Sequence, residues 1–440
     1  MQMKRITLFL CLIAALFFSA GTAPSYAAKV DVLINKLVEK GILSRQEAEL
    51  LLEEMQKEGA RQDITVKETA EKVAKETAEK TVKKEAASGK WASVPKWVKR
   101  IHFKGDFRLR YQYQDKKKSD GTETSRNRGR YRWRLGAIAD VTKDKKWQVG
   151  FGLSSGSGDP RSTNQTFTHS FEKFGVKINY AYAQYRPFDW LTAIGGQMKN
   201  PLYRVQDLMW DTDITPQGVA VPVKYWWNKD AYFFVTPALF VLEEFKSNDY
   251  DDPWMFVLQG GVGANFSNMW AKGGLSWYNN QKIKGNILKW SSDSNTRNAD
   301  DEYIYNYSSF ALDAEYGFKF DAYIKHLSFF GQFVSSDADN DKTGWLGGFR
   351  FGQKVKKFAD WELRYSYRYL EKDAVLDVLP DSDFYGGKTN SKGHEVRLNF
   401  GLAKKVVFSI DYYNTRKIDY DPGKTDEPEN LLQVDFNFKF

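Results

Sequence analysis

The chain has 440 residues, a formal net charge of +9, 42% hydrophobic and 16% aromatic side chains, and a single cysteine. That length allows one large domain or two ordinary ones, and the polar overall hydropathy excludes a bundle of membrane-spanning helices. A modest positive charge leaves nucleic acid, an anionic surface or an anionic solute open as partners until the cations are placed.

In chain order, Lys4 and Arg5 precede the apolar run "ITLFLCLIAALFF", and small residues at Ser25 and Ala27 sit before a cleavage point that leaves Ala28 as the mature start. This predicts a secretory signal peptide over 1–27. Cys11 lies inside that run, so the exported chain has no thiol for a disulfide or a thiolate metal site. Beyond it, no stretch approaches the length of apolar residues that a spanning helix needs.

Residues 28–90 carry a helical pattern. Val30, Leu33, Ile34, Leu37 and Val38 draw an apolar stripe that stops at Gly41, and "SRQE" from Ser44 to Glu47 is a capping box that opens a second stripe of Ala48, Leu51, Leu52 and Met55. The following Glu-, Lys- and Ala-rich stretch repeats "KETAEK" at Lys67 and Lys75. Val66 and Val73 stand a heptad apart, but no apolar seam continues, so a short oligomeric coiled coil and a solvated spacer are both compatible. The expectation is a helical hairpin with a charged spacer, too small for a core of its own.

From residue 91 to 440 the period changes to two. Phe103, Gly105, Phe107, Leu109 and Tyr111 alternate with His102, Lys104, Asp106, Arg108 and Arg110; Trp361, Leu363, Tyr365, Tyr367 and Tyr369 alternate with Glu362, Arg364, Ser366 and Arg368; Leu432, Val434, Phe436, Phe438 and Phe440 alternate with Gln433, Asp435, Asn437 and Lys439. Many such segments run ten residues or more, the length needed to cross a hydrocarbon layer at a tilt, whereas the strands of a soluble sandwich are typically about five or six. Long polar links fall near 115–127, 156–175, 200–216, 245–253, 280–301, 336–342, 372–392 and 417–429, and short ones near 142–146, 187–189, 228–230, 266–268, 321–325, 355–358 and 403–405. Long alternating with short is the pattern of an outer-membrane barrel. The expected fold is an all-β transmembrane barrel of about sixteen antiparallel strands, with both chain ends and the helical segment 28–90 on the periplasmic side.

Within it, "RNRGRYRWRLG" places arginines at 126, 128, 130, 132 and 134. An arginine facing lipid at the midplane costs about 2–4 kcal/mol, so Arg130, Arg132 and Arg134 must face a wet lumen and Tyr131, Trp133 and Leu135 the lipid. Enzymatic readings find little. The four histidines, at 102, 169, 326 and 394, are scattered, with no HExxH pair and no GxSxG elbow, and "SSGSGDP" lacks the ending of a phosphate loop. "DNDKTG" at 339–344 and the acids Asp249, Asp251 and Asp252 lack EF-hand spacing and read as solvated loop charges. No metal, cofactor or nucleic-acid partner is expected.

"RNRGRYRWRLG", "SSGSGDPRSTNQT", "GGQMKNP", "WDTDITPQGVAV" and "SKGHEVRLNFGLAKKVVFSIDYYNT" resemble the putative porin family of Gram-negative bacteria, related to the general porins, and "LINKLVEKGILSRQEAELLLEE" resembles the leader segment of its members. The resemblance implies a trimeric outer-membrane channel for small hydrophilic solutes and an assembly signal at Phe440. It also implies a third long loop, 200–216, that folds into the lumen. There Asp207, Asp211 and Asp213, with Arg204 beside them, would oppose Arg108, Arg110, Arg130, Arg132 and Arg134 and give a weak anion preference. Loop 156–175 would bind solute, latch a neighbouring subunit, cap the mouth or lie as a mobile surface loop. The alternative function is an anchor whose helices at 28–90 tether peptidoglycan or a periplasmic partner.

Overall fold

The computed structural model describes residues 98–118, 120–246, 251–420 and 427–440. The expected signal peptide and helical segment lie outside them. Among the described residues, eighteen strand segments follow one another: β1 Ile101–Lys117, β2 Glu123–Asp140, β3 Trp147–Ser154, β4 Gln165–Thr166, β5 Lys177–Phe188, β6 Leu191–Gln197, β7 Gln217–Ala220, β8 Val223–Trp226, β9 Ala231–Val241, β10 Trp254–Asn265, β11 Met269–Gln281, β12 Ser309–Lys319, β13 His326–Ser336, β14 Thr343–Gly352, β15 Trp361–Leu370, β16 Ser391–Ala403, β17 Val406–Lys417 and β18 Glu429–Lys439. They form one antiparallel sheet that closes on itself through β1 and β18. β7 and β8 pair the same two neighbours, β6 and β9, and are one strand interrupted at Val221–Pro222. β4 is a piece of loop that takes the place beside β2 where β3 ends. Sixteen strands therefore make the wall.

The alternation read from the sequence is the alternation of the wall. On β12, Phe310 and Leu312 are 59% and 47% exposed, whereas Ala311 and Asp313 between them are 6% and 5% exposed. Closure leaves each strand with one face toward lipid and one toward the lumen, and a chain with this period satisfies both at once. Large rings crowd the rim that bears the tight turns. Trp147 stacks on Tyr185, Phe188 on Trp190, and Tyr323 lies by Trp361, as an aromatic girdle requires.

The closing seam joins the two ends of the barrel. Asp106 to Lys116 register with Lys439 to Glu429, and Gly105 and Phe440 exchange two backbone hydrogen bonds of 3.1 and 3.0 Å. The ring of Phe440 lies across Gly105, where a Cβ would stand 2.2 Å from a ring carbon.

The links alternate as expected, with one correction. The first long link, expected over 115–127, is short, because β1 and β2 keep pairing out to Lys117 and Glu123. Gly121 turns it at φ +84°, and Lys118 N–H donates to Thr122 O at 2.9 Å. The link over 282–308 runs longer than expected, since β12 begins only at Ser309.

Loops, not strands, supply much of the core. Leu208, Met209 and Trp210 from 198–216, Val375, Leu376 and Leu379 from 371–390, and Tyr303 and Tyr307 from 282–308 are buried together with Phe240, Met255, Val334 and Leu346 of the inner wall. The long-loop half of the lumen is thus packed as a protein interior.

Candidate constriction and lumen wall

Pairing of β1 with β2 fixes the ladder. Arg130 stands opposite Arg110, Arg132 opposite Arg108, and Arg134 opposite Asp106, while β18 brings Asp435 opposite Arg110. Like charges at this spacing repel, and acids interleaved with them offset the repulsion. Asp106 accepts from Arg132 Nε at 3.0 Å and from Arg134 Nε at 2.9 Å. Asp435 takes a bidentate pair from Arg110 at 2.7 and 2.8 Å. Arg130 donates to Gln112 Oε1 at 3.0 Å, and Arg108 donates to Asn164. Elsewhere on the wall, Arg364 meets Glu395, Arg397 meets Asp411, and Arg350 meets Glu315.

The third long loop, 198–216, lies along the inner wall and is held by its backbone. Tyr203 N–H donates to Gln259 at 2.7 Å, Val205 N–H to Asp313 at 2.9 Å and Leu208 N–H to Gln332 at 3.1 Å. Arg204 does not face the ladder; it staples its own loop, donating to the carbonyls of Trp210 and Asp211. Asp207 also turns away from the ladder and pairs with Arg368 of β15. Asp213 alone of the three loop acids touches the ladder. It meets Arg134 Nη1 at 3.1 Å and accepts from Thr163 N–H at 3.1 Å and Thr163 Oγ1–H at 3.0 Å. Burial pushes the Asp213 carboxyl up, but Arg132, Arg134 and Arg108 outweigh it and hold it below the usual range.

Asp211 is a clasp. Its own N–H donates to Leu379 O at 2.7 Å, and its carboxylate accepts from Asp213 N–H at 2.8 Å and from Ser382 N–H at 2.9 Å. Burial, then the charge of Asp213, push its carboxyl up to about 8, against the pull of those two donors.

The clasp reaches a second infolded loop, 371–390, which sequence reasoning passed over. Asp383 on it pairs with Arg110 at 3.1 Å, and Asp381 lies 4.0 Å from Arg368, which also holds Asp207. Burial raises the Asp383 carboxyl, yet Arg110, Arg108 and Arg130 bring it down to about 2. Asp381 goes the other way, raised by burial and by Asp207, Asp211 and Asp383. A third loop joins them: Arg161 donates to Asp377 O and Gly387 O at 3.2 and 3.3 Å, and Ser382 Oγ–H donates to Arg161 O at 3.0 Å. The first half of 155–176 is therefore turned inward, while Phe171 farther along is fully exposed. The signal for 371–390 was present in "DAVLDVLPDSD", where Ala374, Val375, Leu376, Val378 and Leu379 sit in a link that a purely solvated loop would not make so apolar.

Three cavities follow one another past this arrangement. One of about 470 Å³ lies among the long loops and is lined by Thr163, Asn179, Asp213 and Thr215. A second of about 380 Å³ shares Asn179, Asp213 and Thr215 with it. A third of about 900 Å³ shares Asp106, Arg134 and Asp213 with the second and is lined by Arg108, Arg110, Arg132, Asp381 and Asp383. Asp213 lines all three. Of the acids expected to be solvated loop charges, Asp251 bonds Lys282 at 2.9 Å and Asp252 accepts from Phe245 N–H, while Asp249 lies outside the described residues. Among the described residues no cluster of His, Asp or Glu is arranged to hold a metal.

Comparison with known proteins fits this geometry. A family model described as putative porin matches residues 65–124, 116–312 and 309–440. Among curated proteins no relative is found. A Pseudomonas putida OprB structure at high pH is similar at 13% identity and a TM-score of 0.50, covering 78% of this chain and 95% of that one. A triple mutant of Rhodopseudomonas blastica porin is 10% identical with a TM-score of 0.43, over 77% of this chain and 100% of that chain. The outer membrane channel DcaP of Acinetobacter baumannii is 14% identical with a TM-score of 0.43, over 77% and 97%. At 13% identity the likeness to OprB is one of fold.

Proposed function

The chain belongs to the putative porin family, and on that premise we propose that it is a passive, water-filled channel of the Gram-negative outer membrane for small hydrophilic solutes and ions, with a weak preference for anions. The observation that carries the reading is the pairing of a closed, lipid-compatible wall with a lumen whose narrow junction is Asp213 against Arg134, at the edge of a ladder of inward arginines. Loop 198–216 is the constriction. Asp207 and Asp213 engage the wall at contact distance, so the anion preference rests on inward arginines such as Arg130, which donates to the neutral Gln112. Residues 1–27 act as the export signal, 28–90 as a periplasmic helical segment, and three copies assemble through the outer apolar face. The chemistry is selection by size and charge.

The test is conductance of the full-length mature protein in planar bilayers, followed by the reversal potential under a KCl gradient. Stepwise conductance with a modest anion preference is expected. Absence of conductance, or a clear cation preference, would reject the channel or its selectivity respectively.

A further inference from the structure

The 380 Å³ cavity on the tight-turn side of loop 198–216 has a composition that simple passage does not require. Its wall is recessed because Gly136 and Gly152 leave room for Tyr180 to lie flat across β2 and β3; a Cβ at Gly136 would stand 1.8 Å from the Tyr180 hydroxyl. Into the recess come Lys104 from β1, Arg134 from β2, and Lys199 and Arg204 from the loop.

The two acids of the cavity pair with Arg134 and leave the two lysines uncancelled. Asp106 is taken by Arg132 and Arg134, and Asp213 by Arg134 and Thr163. Among the described residues, neither Lys104 nor Lys199 forms an ion pair. Lys199 Nζ instead lies 5.2 Å from the centre of the Tyr180 ring, a contact that positions a cation without cancelling its charge. Beside it, Asn200 Nδ2 is buried without an acceptor, while its Oδ1 is used by Leu202 N–H at 3.0 Å. Burial, then the charges of Arg134 and Lys104, hold the Lys199 ammonium below its ordinary value. Two uncancelled cations and a recess of this volume describe a receptor for anionic oxygens.

We propose that this cavity is a binding station for a small dianion, inorganic phosphate or a short dicarboxylate, with Lys104 and Lys199 as its paired charge contacts. The station rests on the channel reading and deepens it: a solute leaving the Asp213–Arg134 junction meets the two lysines before the 900 Å³ vestibule, which Lys104 also lines.

Two measurements on the refolded full mature chain separate the two ideas. Calorimetric titration in detergent with succinate, inorganic phosphate and acetate reads the station alone, and the same anions added to a KCl-bathed bilayer read it in the conducting protein. Succinate and phosphate are expected to bind and to reduce KCl conductance at concentrations about tenfold below acetate, and K104Q/K199Q to remove that difference while K104R/K199R keeps it. Binding without any KCl conductance would reject the channel and retain the station. Conductance with equal effects of succinate and acetate, or with K104Q/K199Q behaving as the parent chain, would overturn the station and retain the channel.

Discussion

Asp213 lines three cavities, accepting from Thr163 on one side and from Arg134 on the other, and in the proposed channel its charge faces the permeating ions. A unit charge about 4 Å away acts with about 1 kcal/mol in water, which is about fivefold for each ion and, the sign being opposite for anion and cation, about thirtyfold in their ratio. D213N should therefore raise the anion-to-cation ratio by about that factor, and R134Q should lower it; reversal potentials in a KCl gradient measure both, and equal signs for the two variants would show that neither lies on the path. Asp211 adds a pH dependence. Its carboxyl is raised to about 8, so the folded protein keeps that proton where a free carboxylate has lost it, and ionisation adds a negative charge to the constriction only as pH rises through that value. Anion preference is expected to be greater below about pH 8 than above it, and D211N, neutral throughout, should flatten the step. Little of this was visible in the chain as text. The arginines at alternate positions announced a wet face, and the acids of 200–216 were recognisable as a loop cluster. Which acid meets which base depends on how the loop lies, and that turned Asp207 toward Arg368 and Arg204 onto its own carbonyls.

At the scale of elements, the wall was legible and the loops were not. A strand declares its two faces by a period of two, and the tight turns follow where the period breaks. A long loop has no period, so the inward course of 371–390 showed only as misplaced apolar residues between acids. What fixes that loop is Asp377, which is fully buried and accepts from Ser291 Oγ at 2.8 Å, Ser294 N–H at 2.9 Å, Asn295 N–H at 3.2 Å and Tyr303 Oη at 2.6 Å. Loops 282–308 and 371–390 are thereby one unit with the clasp at Asp211. Removing the carboxylate leaves several buried donors without an acceptor, at a cost of about 1–3 kcal/mol for each that finds no substitute. D377A should leave the barrel folded, because no wall strand depends on it, yet free 282–308 and 371–390 together. Limited proteolysis of the folded protein should then cut within both loops, and single-channel records should become noisier. Cleavage confined to one loop would show that the two are not coupled through this residue.

For the whole molecule, everything depends on one seam. A transmembrane sheet has no tolerance for an open edge, since unpaired backbone groups in hydrocarbon cost several kcal/mol each, and here the edge closes where the chain's last residue meets the strand that opens the barrel. Gly105 and Phe440 are a single device there: the glycine lacks the Cβ that would stand 2.2 Å from the ring, and the ring covers the backbone that the glycine leaves bare. Cross-strand contacts of this kind contribute about 0.2–1 kcal/mol, so F440A and G105A should each lower stability in urea by up to about 1 kcal/mol when the chain is folded into lipid vesicles. The more telling quantity is their combination. If the alanine at 105 acts by displacing the ring, G105A/F440A should be little worse than either single change, since the contact can be lost only once. The carbonyl of Arg134, 2.9 Å from the same Cβ position, sets the residual cost that the double variant retains. Losses that simply add would place the two residues in separate roles, with Phe440 acting in delivery and assembly in the cell rather than in holding the closed wall.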